Sequence, residues 1–331
     1  SNVTYQWNFG DGFTGTGSIA THHYSALGVY TAVVTATNSV GVSTATTYVT
    51  ITVGAPFTVT LVADPVSLSV GNSSLLTATV IDRLGNPVVD GTSVSFDTDL
   101  GSVTSPRLTS YGVATSSISS ILAGTAHITA TSENALGSVT VLFMPGAPNI
   151  SIQVNPDTLI ADSSTMAAIT VIVLDALGNP HSGIVLIGDT SPATLGGVSG
   201  LGATDLSGKA FGRWTAGTLA GFGSLSVGDG VLTTAVPITL SNPAPMITSL
   251  SPVSVTTESA PFTLTVFGTN LAVNSTVYWN GTPLATTFIS NTQLAAAVTA
   301  AHIAVSGTIS ITVGNPAPGG GAATLTAAFR V

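Results

Sequence analysis

Residues Thr4–Gly15 read TYQWNFGDGFTG, and within them Gly10–Gly15 (G-D-G-F-T-G) match the dinucleotide-binding fingerprint G-x-G-x-x-G letter for letter. The fold class turns on how this stretch is read. A dinucleotide loop joins a strand to a helix whose first amides meet the pyrophosphate. Gly15 is followed by TGSIATHHYS, which holds Gly17 and has no amphipathic period. The fingerprint also wants an acidic residue about 20 positions on to hold the ribose. No Asp or Glu occurs between Asp11 and Asp64. Both tests fail, so the stretch reads as a tight turn between two strands. Its glycines supply positive φ, Asp11 bonds nearby amides, and Trp7 is expected in a core.

Outward from the turn a period of two continues. Tyr30, Ala32, Val34 and Ala36 alternate with Thr31, Val33, Thr35 and Thr37, and Phe262, Leu264 and Val266 alternate with Thr263 and Thr265. This places each set on one face of a sheet, and β-branched Thr and Val fit a pleated surface. Turn signals at Gly28, Asn38, Gly85-Asn86-Pro87 and Asn280-Gly281 punctuate the runs, with no long helical period between them. The pattern predicts an all-β chain of sandwich type. Stiff junctions at Gly54-Ala55-Pro56, Pro145-Gly146-Ala147-Pro148 and Pro243-Ala244-Pro245 divide it into residues 1–54, 55–146, 147–242 and 243–331. An internal repeat supports the division. ADPVSLSVGNSSLLTATVIDRLGNP (63–87) echoes VNPDTLIADSSTMAAITVIVLDALGNP (154–180), with Asp82 and Asp175, and Asn86 and Asn179, each 93 residues apart.

Several motifs carry resemblances. WNFGDG (7–12), THHY (21–24), GVYTAVVTATNSVG (28–41) and YVTITV (48–53) resemble a PKD domain, with Asn8 where that family usually has Asp. VIDRLGNPV and VLDALGNPH, followed by SYGVATSSISSILAGTAHITAT and TDLSGKAFGRWTAGTLAGFGSLSV, resemble bacterial Ig-like domains of the invasin/intimin group. PMITSLSPVS, FTLTVFGTNL, STVYWNGTPL and LTAAFRV resemble an IPT/TIG domain. The resemblances imply four tandem immunoglobulin-like β-sandwiches in an extended array. A PKD domain has about two strands ahead of its Trp strand, so the first module is expected to be N-terminally incomplete, with an open core face and an unpaired edge.

Composition bounds the partners. Lys and Arg number 5 against 14 Asp and Glu, a formal net charge of −9. Nucleic-acid binding needs a basic footprint, and anionic membranes need one too, so neither partner is expected. Charged residues make up only 6% of the chain, against about 25% in ordinary soluble proteins. A Ser/Thr surface so poor in charge is easily desolvated and suits self-association with identical subunits. The apolar run Met166–Leu174 is broken by Thr170 and falls short of the roughly 20 residues a helical span needs. The chain has no Cys, which excludes disulfides and thiolate chemistry. No signal peptide appears at the start of the sequence, which reads as a processed chain or a piece of a longer one.

No catalytic, cofactor-binding or metal residue is assigned, and no cofactor is expected. Asp97 and Asp99 are read as same-face neighbours on a solvated strand, too few for calcium. Asp82 and Asp175 are read as turn caps. His22 and His23, taken as strand neighbours, would point to opposite faces and share no metal. His127, His181 and His302 are isolated, and neither H-E-x-x-H nor G-x-S-x-G occurs. Asn2, Asn72, Asn149, Asn274 and Asn280 head N-x-S/T sequons at about the number chance supplies in so Ser/Thr-rich a chain. Lys209 is the one lysine available for a Lys–Asn isopeptide staple. The expected function is that of a non-catalytic extracellular structural protein of a prokaryotic cell surface. It would be a rod of Ig-like modules that assembles into a filament, sheath or surface layer, with strand complementation of the first module. The alternatives are an adhesin stalk presenting a distal domain to a cell-surface or host/matrix partner, and accessory modules of a large secreted hydrolase.

Overall fold

The computed structural model describes residues 2–325 and 329–331. They are almost wholly strand and turn, with two short 3₁₀ turns at Ala193–Leu195 and Ala300–Ile303. The chain divides into two compact units, Ser1–Gly146 and Ala147–Val331.

The first unit begins with a single sheet. Thr4–Asn8 (β1), Thr14–Thr16 (β2), Gly28–Asn38 (β3) and Gly41–Ile51 (β4) pair antiparallel in the order β2-β1-β3-β4. Up to Gly54, only Phe9 and Ala32 are buried among the described residues. The rest of the unit is a complete sandwich. One sheet runs Arg107–Leu108, Ser93–Thr98, Gly124–Ser132, Ala135–Met144, Ser67–Ser69, and the other Thr58–Asp64, Ser73–Ile81, Val113–Ser119, Ser102–Val103. Alternate residues of both sheets meet in one core, where Leu76, Ala78 and Val80 have 0% exposure.

The sequence repeat is also a repeat of topology. In the second unit Asn149–Asn155, Met166–Leu174, Lys209–Ala216 and Gly196–Ser199 form a sheet with the same connectivity as the sheet led by Thr58–Asp64. Thr158–Ile160 pairs parallel with Thr239–Ser241 just as Ser67–Ser69 pairs parallel with Leu142–Met144. A second core, around Trp214, fills this sandwich. The third core, around Trp279 and Phe329, lies between the sheets built on Phe262–Thr269 and on Thr276–Trp279. Thr326, Ala327 and Ala328 of the expected closing strand LTAAFRV lie outside the described residues. Its end, Phe329–Arg330, pairs with Thr308–Ile309.

Within the second unit the chain passes from one sandwich to the next through a grip of asparagines. The Asn242 amide donates to the Pro318 carbonyl at 2.8 Å, and Gly320 N–H donates back to the Asn242 carbonyl at 2.6 Å. Asn242 Nδ2 donates to the Pro316 carbonyl at 2.8 Å. Buried Asn315 donates from Nδ2 to the carbonyls of Pro243 and Asn270, both at 2.7 Å, and its Oδ1 accepts from Ser275 Oγ at 2.5 Å. Gly320 has φ +74°, and a Cβ there would stand 2.4 Å from the Asn315 carbonyl oxygen, so the Pro-Gly-Gly-Gly loop can close on the linker only with glycine.

Candidate functional site

The G-D-G-F-T-G stretch is a strand-to-strand turn. Gly10 and Gly12 take φ of 84° and 94°, Asn8 Oδ1 accepts from Gly10 N–H at 2.9 Å, and Asp11 Oδ1 accepts from Phe13 N–H at 3.2 Å. A Cβ on Gly10 would meet the Thr31 carbonyl at 2.6 Å, because the turn folds back over β3. His22 Nε2 lies 2.5 Å from Asp11 Oδ2, and its ring stacks on Phe9 at 4.2 Å and meets the edge of Tyr24 at 4.7 Å. Burial raises the Asp11 pKa, but the hydrogen bonds from His22 and Phe13 and the His22 charge outweigh it, leaving the carboxyl below its ordinary value. The cluster braces a turn.

One strand placement is corrected. His22 and His23 lie in an irregular segment after Gly17, not on a strand; His22 turns inward onto Phe9 while His23 is exposed. Asp97, on the strand, and Asp99, just past its end, are both exposed. The strand ends at Thr98, and Gly101 (φ 81°) turns the chain, leaving Asp99 to accept from the His127 amide and Nδ1, each at 2.7 Å. His302 Nδ1 lies 2.9 Å from Thr299 Oγ1. His181 Nε2 is buried with no partner among the described residues. Lys209 is exposed at a strand start, its amide donating to Asp205. No group of three His, Cys, Asp or Glu comes together among the described residues.

Asp82 and Asp175 are built alike. Asp82 Oδ1 accepts from the amides of Leu84 and Asn86 at 2.9 and 2.8 Å, and Asp175 Oδ1 from Leu177 and Asn179 at 2.8 and 2.9 Å. Asp82 Oδ2 also accepts from the Gly54 amide at 3.0 Å, fastening the first linker to this turn. Burial raises its pKa, yet the bonds from Gly54, Asn86 and Leu84 prevail and hold it below the ordinary 3.8. A depressed carboxylate contributes stability above its unfolded pKa that is lost as pH falls through the folded value. The stability gap between the native chain and Asp82→Asn is therefore expected to close as pH drops below about 4. Denaturation at stepped pH checks this, and a gap that does not change with pH refutes it.

The feature that sets the first sheet apart is its bareness. Tyr5, Trp7, Tyr30, Val34 and Ala36 share one face, where a sandwich would place its core, and all five are partly exposed. Trp7, expected in a core, is only half-buried because no second layer packs over it; its Nε1 donates to the Gly17 carbonyl at 3.0 Å. The opposite face carries Thr4, Gln6, Thr14, Thr16, Thr35 and Thr44. Hollows of about 700 and 420 Å³ on this sheet are lined without any carboxylate, imidazole or amine. The arrangement offers apolar area, hydroxyls and free backbone groups.

The fold and these surfaces define a tandem array of immunoglobulin-like β-sandwiches led by an open sheet. Residues 1–53 match the family model described as PKD domain, and residues 245–329 match the model described as IPT/TIG domain. Among solved structures, invasin, a bacterial integrin-binding protein, is 18% identical, with 99% of this chain and 71% of that chain covered at a TM-score of 0.50. FdeC, an Escherichia coli adhesin, is 15% identical over 83% of this chain and 99% of its own, with a TM-score of 0.46. InvD of Yersinia pseudotuberculosis is 20% identical over 82% and 95%, with a TM-score of 0.41. At such identities the likeness to invasin speaks to fold. No curated protein matches the chain. No helix among the described residues is long and apolar enough to cross a membrane.

Proposed function

We propose that this chain is a non-catalytic structural segment of a prokaryotic cell-surface protein. It comprises four Ig-like modules, residues 1–54, 55–146, 147–242 and 243–331, and it associates with copies of itself through the first module. One observation carries the reading: among the described residues the first sheet, alone among the principal sheets, has no partner layer and buries only Phe9 and Ala32. A sheet needs a second layer to bury its apolar face, and some 50 residues without one cannot offset their conformational entropy. Strands of a neighbouring copy supply that layer. The PKD and IPT/TIG matches and the invasin-like fold support a surface setting.

The test is sedimentation of the full chain over a range of concentrations, with hydrogen exchange followed in β1 and β3. Association is expected to grow with concentration, and the amides around Trp7 and Val34 are expected to gain protection as it does. A chain that stays monomeric throughout would overturn the proposal. So would protection of those amides that does not depend on concentration.

A further inference from the structure

β4 is an outer strand of the first sheet, eleven residues long, GVSTATTYVTI, and exposed along almost its whole length. Proteins guard such edges with charge, proline, bulges or brevity. β4 has none of these: it pairs with β3 without a register shift, contains no Pro, and lies in a stretch from Phe13 to Ala63 that holds no Asp, Glu, Lys or Arg.

The pairing pattern fixes which backbone groups are free. Gly17 N–H donates to the Tyr5 carbonyl, so odd residues of β1 bond toward β2 and Thr4, Gln6 and Asn8 bond toward β3. Their partners on β3 are Thr37, Thr35 and Val33, which leaves the even residues of β3 to bond Ser43, Ala45, Thr47 and Val49. Val42, Thr44, Thr46, Tyr48 and Thr50 therefore aim their N–H and C=O groups away from the sheet.

We infer that β4 pairs antiparallel with β4 of a second copy, about a two-fold axis through Thr46. This rests on the proposed self-association and adds to it an edge-to-edge seam, separate from the contact that covers the Trp7 face. Centred there, all eleven residues overlap: Thr46 faces the partner's Thr46, Thr44 faces the partner's Tyr48, and Val42 faces the partner's Thr50. The five outward residues of each strand then exchange about ten hydrogen bonds. Thr–Thr and Thr–Tyr cross-strand pairs are favourable, and no like charges meet, since neither strand has any. The charge-free strand thus suits its own copy better than a charged partner. A two-fold axis normal to the sheet also keeps both Trp7 faces on one side of an eight-stranded sheet.

The chain has no cysteine, which makes the test direct. In the full chain, Thr46→Cys places two thiols opposite each other at a Cα separation of about 5.5 Å, within disulfide range. Mild oxidation is expected to give a covalent dimer. Thr50→Cys, also exposed but opposite Val42, is expected to give one at least about tenfold more slowly. Thr46→Lys sets like charges face to face and is expected to weaken dimerisation about tenfold in sedimentation. Equal cross-linking at positions 46 and 50, or an unchanged dimer constant in Thr46→Lys, would overturn the seam. If either result came from a chain that still associates, self-association would survive without it. A chain monomeric at every concentration would sink both.

Discussion

Trp214→Ala should cost about 3–5 kcal/mol, the largest effect of any single truncation considered for this chain. Trp214 sits mid-strand in Lys209–Ala216, flanked by Ala167 on one side and Val198 on the other, and is 0% exposed. Its Nε1 donates to the Leu195 carbonyl at 2.9 Å. Truncation empties the largest side chain of that core and strands a buried acceptor. Leu195 is itself buried, and the turn that holds it is tight: a Cβ on Gly217 would lie 2.0 Å from the Thr194 carbonyl. The surroundings cannot collapse into the space. Native-state hydrogen exchange should show protection in Met166–Leu174 and Gly221–Gly228 falling by about two to three and a half orders of magnitude. Peptides from the Leu76 core should not change. Trp214→Phe keeps most of the volume but loses the N–H, and should cost about 1–3 kcal/mol. A Trp214→Ala loss below about 1 kcal/mol would mean the site repacks.

Trp214 also marks a limit of what the sequence discloses. Its strand alternates Ala210, Gly212, Trp214, Ala216 inward and Phe211, Arg213 outward, yet Phe211 is 60% exposed. Hydropathy at 211 and 214 points both ways, and only the partner strands settle which ring is inside. The alternation in Tyr30–Thr37 and Phe262–Val266, by contrast, transfers directly to strands Gly28–Asn38 and Phe262–Thr269. The G-D-G-F-T-G turn was legible because a helix and a ribose-binding acid were both missing. Asp82 and Asp175 were legible as caps because an Asx turn is local. That Asp82 also holds the Gly54 amide was not, since the contact spans 28 residues. That Asp99 meets His127 was not legible either, since the partner lies 28 residues away on another strand. The openness of the first sheet could be anticipated from the place of Trp7 in its motif. Which of its edges lacks protection required the pairing order.

Asn315→Ala should cost about 2–4 kcal/mol and loosen the passage between the last two modules. The side chain is 6% exposed and satisfies three groups at once: the Pro243 carbonyl, the Asn270 carbonyl and the Ser275 hydroxyl. Truncation leaves all three partners short of a bond in a place water reaches poorly, and each unsatisfied buried group costs about 1–3 kcal/mol. Partial relaxation keeps the total below the sum. Ser275→Ala removes one of these bonds, along with the bond from the Ala272 amide to Ser275 Oγ, and should cost clearly less. Asn315→Asp should cost more than alanine, because a carboxylate would face two carbonyl oxygens without a counter-charge. Trp279 is the only tryptophan beyond Trp214, so in a Trp7→Phe, Trp214→Phe background its fluorescence reports denaturation of the final sandwich alone. Hydrogen exchange at Asn242 and Gly320, whose amides close the grip at 2.8 and 2.6 Å, reports the linker. A local role predicts that fluorescence shifts while those two amides stay protected. The grip predicts that both move together, because Asn315 ties the linker at Pro243 to the strand that carries it. An Asn315→Ala variant no less stable than Ser275→Ala would show that the linker is held by its backbone bonds alone.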